Sequence, residues 1–249
     1  MKALVLFYIL VLVRILAFFT SMPIFNQKKL PAIWKVGLAA LITLILMPLI
    51  PPRTFQLHPV WITAAVIWEG IVGLTFGLLM TGAVGAVLSA GTLLDTQMGF
   101  ANAGILNPGA DQPEPLIASF YKMMFLLCCL VAGFHLALLR ILLESFSWFP
   151  VGMIMHNFKS LGAFGMAVVS QFFVSIMWLV LPICLALLTV EVCVAFLSRL
   201  LPQMNMLIAA APFRVLAGFI LVALTLPMTL DTMSDLMVSH LQLTEGFRV

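Results

Sequence analysis

The residue types that most often carry chemistry are present here without the spacing that chemistry needs. The four histidines, His58, His135, His156 and His240, are far apart, and no H-E-x-x-H pair sets two of them on one helix face as metal ligands. No G-x-S-x-G elbow presents a serine nucleophile. Asp95 and Glu191 would need a tertiary contact to act as an acid and base pair, and no partner motif accompanies them. Cys128, Cys129, Cys184 and Cys193 lie in apolar runs without C-x-x-C spacing, as packing thiols do. The 16 methionines are scattered through apolar runs rather than grouped as soft-metal ligands, so adaptable packing explains them better than copper(I) transport. The expectation is a protein that is not an enzyme, with no catalytic residue, metal or cofactor.

A second set of charged residues is more informative. Arg14, Glu69, Lys122, His135, Arg140, Glu191 and Arg214 fall within or against apolar runs, where a charge is costly unless it is paired or faces water. For Arg14, an interior residue that pairs or snorkels is a better reading than a transported-ion site. The surroundings explain the cost: of 249 residues, 63% are apolar and only 8% charged, with a mean hydropathy of +1.20. A soluble domain carries roughly a quarter charged residues, so this is a membrane-class chain. Twelve Lys and Arg against nine Asp and Glu give +3, too slight and dispersed for a nucleic-acid footprint.

The elements that must position these residues are read from the apolar runs, since a spanning helix needs about 20 such residues. Residues 3–20 make the first; Arg14 interrupts it and no A-x-A site follows, so it is expected to be a retained membrane helix and not a signal peptide. Residues 32–50 make a second run, stopping at Met47-Pro48. Residues 60–90 make a third, broken only by Glu69 and too long for one perpendicular crossing. Residues 116–143 and 161–201 follow, the latter expected to break at Pro182, and residues 207–230 are the last. The result is an all-α membrane protein of about six to seven apolar helices, some broken or re-entrant, in a single polytopic domain over 1–249. Loop charge puts Lys28, Lys29 and Lys35 inside, but a six-span count leaves six basic residues inside against five outside, which is no bias.

Two stretches stand out along those runs. Gly70, Gly73, Gly77, Gly82 and Gly85 give the third run a small-residue ridge, with a G-x-x-x-G pair at Gly73 and Gly77, that suits close helix approach and assembly with other helices. Residues 91–115 read as irregular, ending in the turn signal Asn107-Pro108-Gly109 and the polar, proline-punctuated residues 110–115. Irregular backbone at membrane depth must be buried in protein or line a water-filled cavity. On physical grounds alone the segment is either a pore or gate element or an ordinary surface loop.

The stretch Asp95-Thr96-Gln97-Met98-Gly99-Phe100, with Asn107-Pro108-Gly109 after it, resembles the central signature of the FliR/SctT family of type III secretion export-gate proteins. Arg14, then Ser21-Met22-Pro23-Ile24-Phe25 and Lys35-Val36-Gly37-Leu38-Ala39, resembles the family's opening. Ser198-Arg199-Leu200-Leu201-Pro202-Gln203-Met204-Asn205, then Ala211-Pro212-Phe213-Arg214 and Gly218, resembles its second signature. The likeness runs from residue 5 to about 230. Virulence-system members of the SctT type carry a D-N-Q-R-G kind of motif where this chain has Asp95-Thr96-Gln97-Met98-Gly99, which favours the flagellar branch.

The resemblance implies a structural subunit of the bacterial inner membrane, at the flagellar basal body. It implies assembly with FliP and FliQ into a channel for unfolded flagellar proteins, with FlhB at the cytoplasmic side. It also implies an assembly set high in the membrane, which would account for the failed charge count. In the family the loop between the central helices plugs the pore; here that is Phe100 through Glu114, with Ile105 and Leu106 as the seal and Asn107, Pro108 and Gly109 as its turn. The alternatives are a virulence export-gate subunit and a secondary transporter. The latter would use broken helices and embedded charges at a midplane site, but no inverted repeat is evident.

Overall fold

In an apolar solvent every backbone N–H and C=O must find its partner within the segment, so runs of this composition form helices. The computed structural model describes residues 2–22, 31–50, 58–100, 115–154, 158–200 and 206–247. Among them there are seven α-helices and no strand: α1 (Lys2–Ser21), α2 (Ala32–Leu46), α3 (Pro59–Met98), α4 (Leu116–Val131), α5 (Phe134–Trp148), α6 (Phe158–Leu200) and α7 (Met206–Gln242). Five helical stretches are long and apolar enough to cross a membrane, and α4 with α5 forms a sixth as a pair bent by 69°. This is a multi-pass all-α membrane protein.

The breaks fall elsewhere than proline content predicts. The run expected to break at Pro182 is one helix of 43 residues with Pro182 inside it, about 65 Å long at 1.5 Å per residue. Pro182 removes a single donor, and flanking backbone groups with no water to turn to keep their helical partners. Pro212 and Pro227 likewise lie inside α7. The expected 116–143 run is the one that breaks: Gly133 adopts φ +69°, a left-handed conformation that a β-carbon disfavours, and α5 starts from it in a new direction. The irregular segment expected from Gly91 also begins later, because α3 continues through Met98. It stops at Gly99, whose φ of +92° ends the helix, with the Gly99 N–H donating to Thr96 O and Phe100 N–H to Asp95 O.

The chain divides into two compact units. One comprises Met1–Gly82, Gly133–Ser170 and Ser239–Val249, and the other Ala83–Ala132 and Gln171–Val238. In the first, α1 packs on the N-terminal part of α3 through the small-residue ridge. A Cβ on Gly73 would lie 2.9 Å from the Ala17 Cβ and against the Arg14 carbonyl, and one on Gly77 would lie 2.9 Å from the Phe18 carbonyl and against the Ser21 hydroxyl. Gly70 is looser, 4.0 Å from Val13. Thr81 continues the ridge and donates to the Ser21 carbonyl. Phe76, fully buried, gathers Trp148, Phe149 and Phe164 around it with ring centroids 5.2–6.0 Å away. Gly82 faces Val168 of α6 at 3.3 Å. In the second unit Gly85 faces the Phe172 ring at 3.2 Å, and Leu94, Met98, Tyr121, Phe125 and Ile183 are buried. The close helix approaches that the glycine ridge suits are made, among the described residues, with this chain's own helices.

Gly73→Leu or Gly77→Leu should therefore destabilise the isolated chain, by about 3 kcal/mol or more for forced overpacking against backbone. Gly162→Leu, where an added Cβ meets nothing within 4 Å, should stay within about 0.5 kcal/mol. Reversible unfolding of detergent-solubilised protein measures both; equal effects at Gly73 and Gly162 would contradict this packing.

Candidate functional site

In the first unit two of the charges expected to be costly, Arg14 on α1 and Glu69 on α3, meet. Both are fully buried. Arg14 Nε donates to Glu69 Oε2 at 2.5 Å, Nη1 to the Ser145 carbonyl at 3.1 Å and Nη2 to the Phe149 carbonyl at 2.8 Å. The guanidinium also sits 4.5 Å from the centroid of the Phe146 ring. Glu69 Oε1 accepts from the Gly152 backbone N–H at 2.9 Å. The location follows from local structure. The Ser145 carbonyl, which also accepts the Phe149 N–H at 2.9 Å, and the Phe149 carbonyl just past the helix lie at the negative dipole end of α5, so a cation there is stabilised by hydrogen bonds and by field. Glu69 then completes the site from the opposite side and fixes the turn after α5. No sequence motif marks this pairing across 55 residues; the signal was that the first and third apolar runs each carried one charge, of opposite sign.

The second unit holds the central signature. Asp95, 4% exposed, lies one turn before the end of α3. Its Oδ1 accepts from the Ile117 N–H and its Oδ2 from the Ala118 N–H, each at 3.0 Å. These are donors of the first turn of α4, whose own cap position is Pro115 and provides no side-chain bond. A carboxylate from α3 thus satisfies the free N–H groups of α4 and complements its positive end. Gly91, one turn earlier, makes room: a Cβ there would collide with the Ala118 backbone. Met98 packs on Gly218 of α7, where a Cβ would lie 2.5 Å from its Cγ, and the Phe100 ring stands 6.1 Å from that of Phe219. Gln97 is half-buried. The ends of the chain on both sides of residues 101–114 are thereby held together by one side chain.

The other expected site residues are distributed as follows. Arg199 and Pro212 are exposed, the first in the last turn of α6 and the second inside α7. Arg214 Nη1 reaches Glu191 Oε1 at 3.5 Å, a partly exposed pair that joins α6 to α7. Asp95 and Glu191 are therefore each engaged by a different partner. Ile105, Leu106, Asn107, Pro108 and Gly109, and Pro202, Gln203 and Asn205, lie outside the described residues. His58 and His135 are exposed and His240 is fully buried. Among the described residues no three His, Cys, Asp or Glu side chains group to hold a metal ion. Sequence reading missed Gly91 and Gly152; the first lies one turn ahead of Asp95 on the same helix face, and the second bears a φ of +77° that no flanking residue signals.

Comparison with known proteins covers nearly the whole chain. A family model described as bacterial export proteins, family 1, matches residues 5–239. The flagellar biosynthetic protein FliR of Pectobacterium carotovorum subsp. carotovorum is 32% identical over 222 residues, 87% of this chain and 82% of that protein. FliR of Bacillus subtilis (strain 168) is 29% identical over 86% of this chain and 83% of its own length. The Yop proteins translocation protein T of Yersinia pestis is 25% identical over 83% and 80%.

Removing one member of the buried pair leaves the other unneutralised. Arg14→Met or Glu69→Gln should each cost about 3–5 kcal/mol, and the double variant less than the sum. A double-mutant cycle on unfolding in mixed detergent reads this directly. Additive single effects would show that the two side chains do not depend on one another.

Proposed function

We propose, starting from the fact that the chain belongs to the bacterial export proteins, family 1, that it is a structural subunit of the flagellar type III export gate. In this reading it lies in the bacterial inner membrane, its two units working as one polytopic membrane domain. With FliP and FliQ it builds the channel for unfolded flagellar proteins, and FlhB contacts its cytoplasmic side. The flagellar role is preferred to a virulence one because the more similar relatives bear flagellar names. No catalytic step is assigned to it: Arg14 and Glu69 are fully buried in one another's company, and Asp95 is committed to backbone donors.

The observation that carries the reading is the joining of the two chain ends that flank residues 101–114. A channel wide enough for an unfolded polypeptide needs an obstruction at rest, or it would dissipate the membrane potential. A segment whose two ends are fixed by Asp95, Met98 and Phe100 has a defined root. Phe100 to Glu114 is read as the plug. Phe100, Ile105 and Leu106 would exclude water from a constriction, where hydrophobic walls favour dewetting. Asn107, Pro108 and Gly109 would turn the chain back, with Pro108 fixing its own φ and Gly109 permitting a positive one.

Deleting residues 105–112, or combining Ile105→Asp with Leu106→Asp, should raise ion leakage or slow growth while the export complex still assembles. Conductance and growth that stay at wild-type levels in assembled variants would reduce the segment to a connecting loop.

A further inference from the structure

The bond set around Asp95 has two separable consequences. It caps α4, and it ties the start of α4 to the end of α3. An ordinary N-cap does only the first, from the residue that precedes the helix. The position for that residue is Pro115, with φ −60° and ψ 121°, an extended conformation in which Ser or Asp would place an oxygen on the same Ile117 and Ala118 N–H groups. The chain instead has a proline there and uses a carboxylate 22 and 23 residues away from the donors.

We propose that Asp95 is a positioning residue for export, and that what export requires is the tie between α3 and α4, not the capping of α4. This rests on the export-gate reading above. Three features surround the tie. Gly91 lets the α3 backbone approach Ala118 closely enough for the carboxylate to reach. Gly99 ends α3 within one turn of Asp95, and the Phe100 N–H donates back to the Asp95 carbonyl at 3.0 Å, so the residue that holds α4 also closes its own helix. Met98, between them, is seated on Gly218 of α7. Displacing the carboxylate would free the first turn of α4 from this junction while leaving both helices intact.

Four variants in the full complex separate the two roles, with secretion of flagellar proteins scored per assembled complex. Asp95→Ala should assemble and lose secretion by about tenfold or more, as expected for two charge-assisted bonds removed. Asp95→Asn, which keeps one good acceptor, should fall between it and wild type. Pro115→Ser alone, a neutral local cap that sets no second carboxylate beside Asp95, should secrete normally. Asp95→Ala with Pro115→Ser, capped locally but untied, should regain the heat stability of the complex and not its secretion. Recovery of secretion in the double variant would make Asp95 a helix cap and nothing more, and overturn the proposal. So would wild-type secretion in Asp95→Ala, or failure of both Asp95→Ala and Asp95→Asn to assemble, which would assign Asp95 to assembly alone. Deletion of the whole chain is the control for the underlying reading. If secretion survives that deletion, the export role is wrong whatever Asp95 does; if it is lost, the variants report on the tie alone.

Discussion

A charge buried in an apolar interior has to be neutralised and hydrogen-bonded, and in this protein that constraint organises the first compact unit around Arg14 and Glu69. The guanidinium spends its donors on one carboxylate and two carbonyls, and the carboxylate accepts a backbone N–H in return. Three pieces of chain remote in sequence are fixed by those bonds: α1, α3, and the end of α5 with the turn at Gly152 that follows it. The requirement then spreads. Bringing Arg14 to Glu69 presses the α1 backbone onto α3, which leaves no space for a side chain at Gly73 or Gly77. The glycine ridge and the ion pair are one feature seen from two sides. Such a pair contributes little net stability over an apolar replacement, but either half alone is strongly destabilising, so it selects one docking of these elements over others.

The same physics recurs in the second unit with the sign reversed. Arg14 meets the negative end of α5, and Asp95 meets the positive end of α4. In both cases a charged side chain from one apolar helix bonds backbone groups at the end of another whose dipole it complements. For a membrane protein this is economical, since helix ends at membrane depth have little water to turn to. It also bears on the export-gate reading. The chain on the two sides of residues 101–114 is tied together by the buried bonds of Asp95.

What the sequence conveyed depended on whether the determining interaction was local. The helical class and the approximate extents of α1, α2 and α3 were legible from composition and run length, because an apolar solvent leaves the backbone no alternative. Of the seven charges in or against the apolar runs five form ion pairs, Glu69 with Arg14 and Glu191 with Arg214 through tertiary packing and Arg140 with Glu144 one turn along its own helix, while His135 is exposed. Helix breaks were read wrongly at Pro182 and missed at Gly133. A lost donor can be tolerated when every neighbouring group is held, whereas a residue free to take positive φ can redirect the chain with no local tension to announce it. The signature Asp95-Thr96-Gln97-Met98-Gly99-Phe100 was noticed through family likeness and read as irregular. Its first four residues are helical, and the reason for Asp95 lies 22 residues further on, where no local pattern could show it.

The central proposal is that this chain, with Arg14 and Glu69 neutralising one another inside it, works as one part of a larger gate rather than as a self-sufficient carrier. Intact-mass measurement of the particle purified in mild detergent through a tag on this chain tests it most directly. The account predicts a single assembly whose mass requires unlike membrane subunits beside this one. A particle containing this chain alone, as a monomer or a symmetric oligomer, would contradict it and point to a transporter.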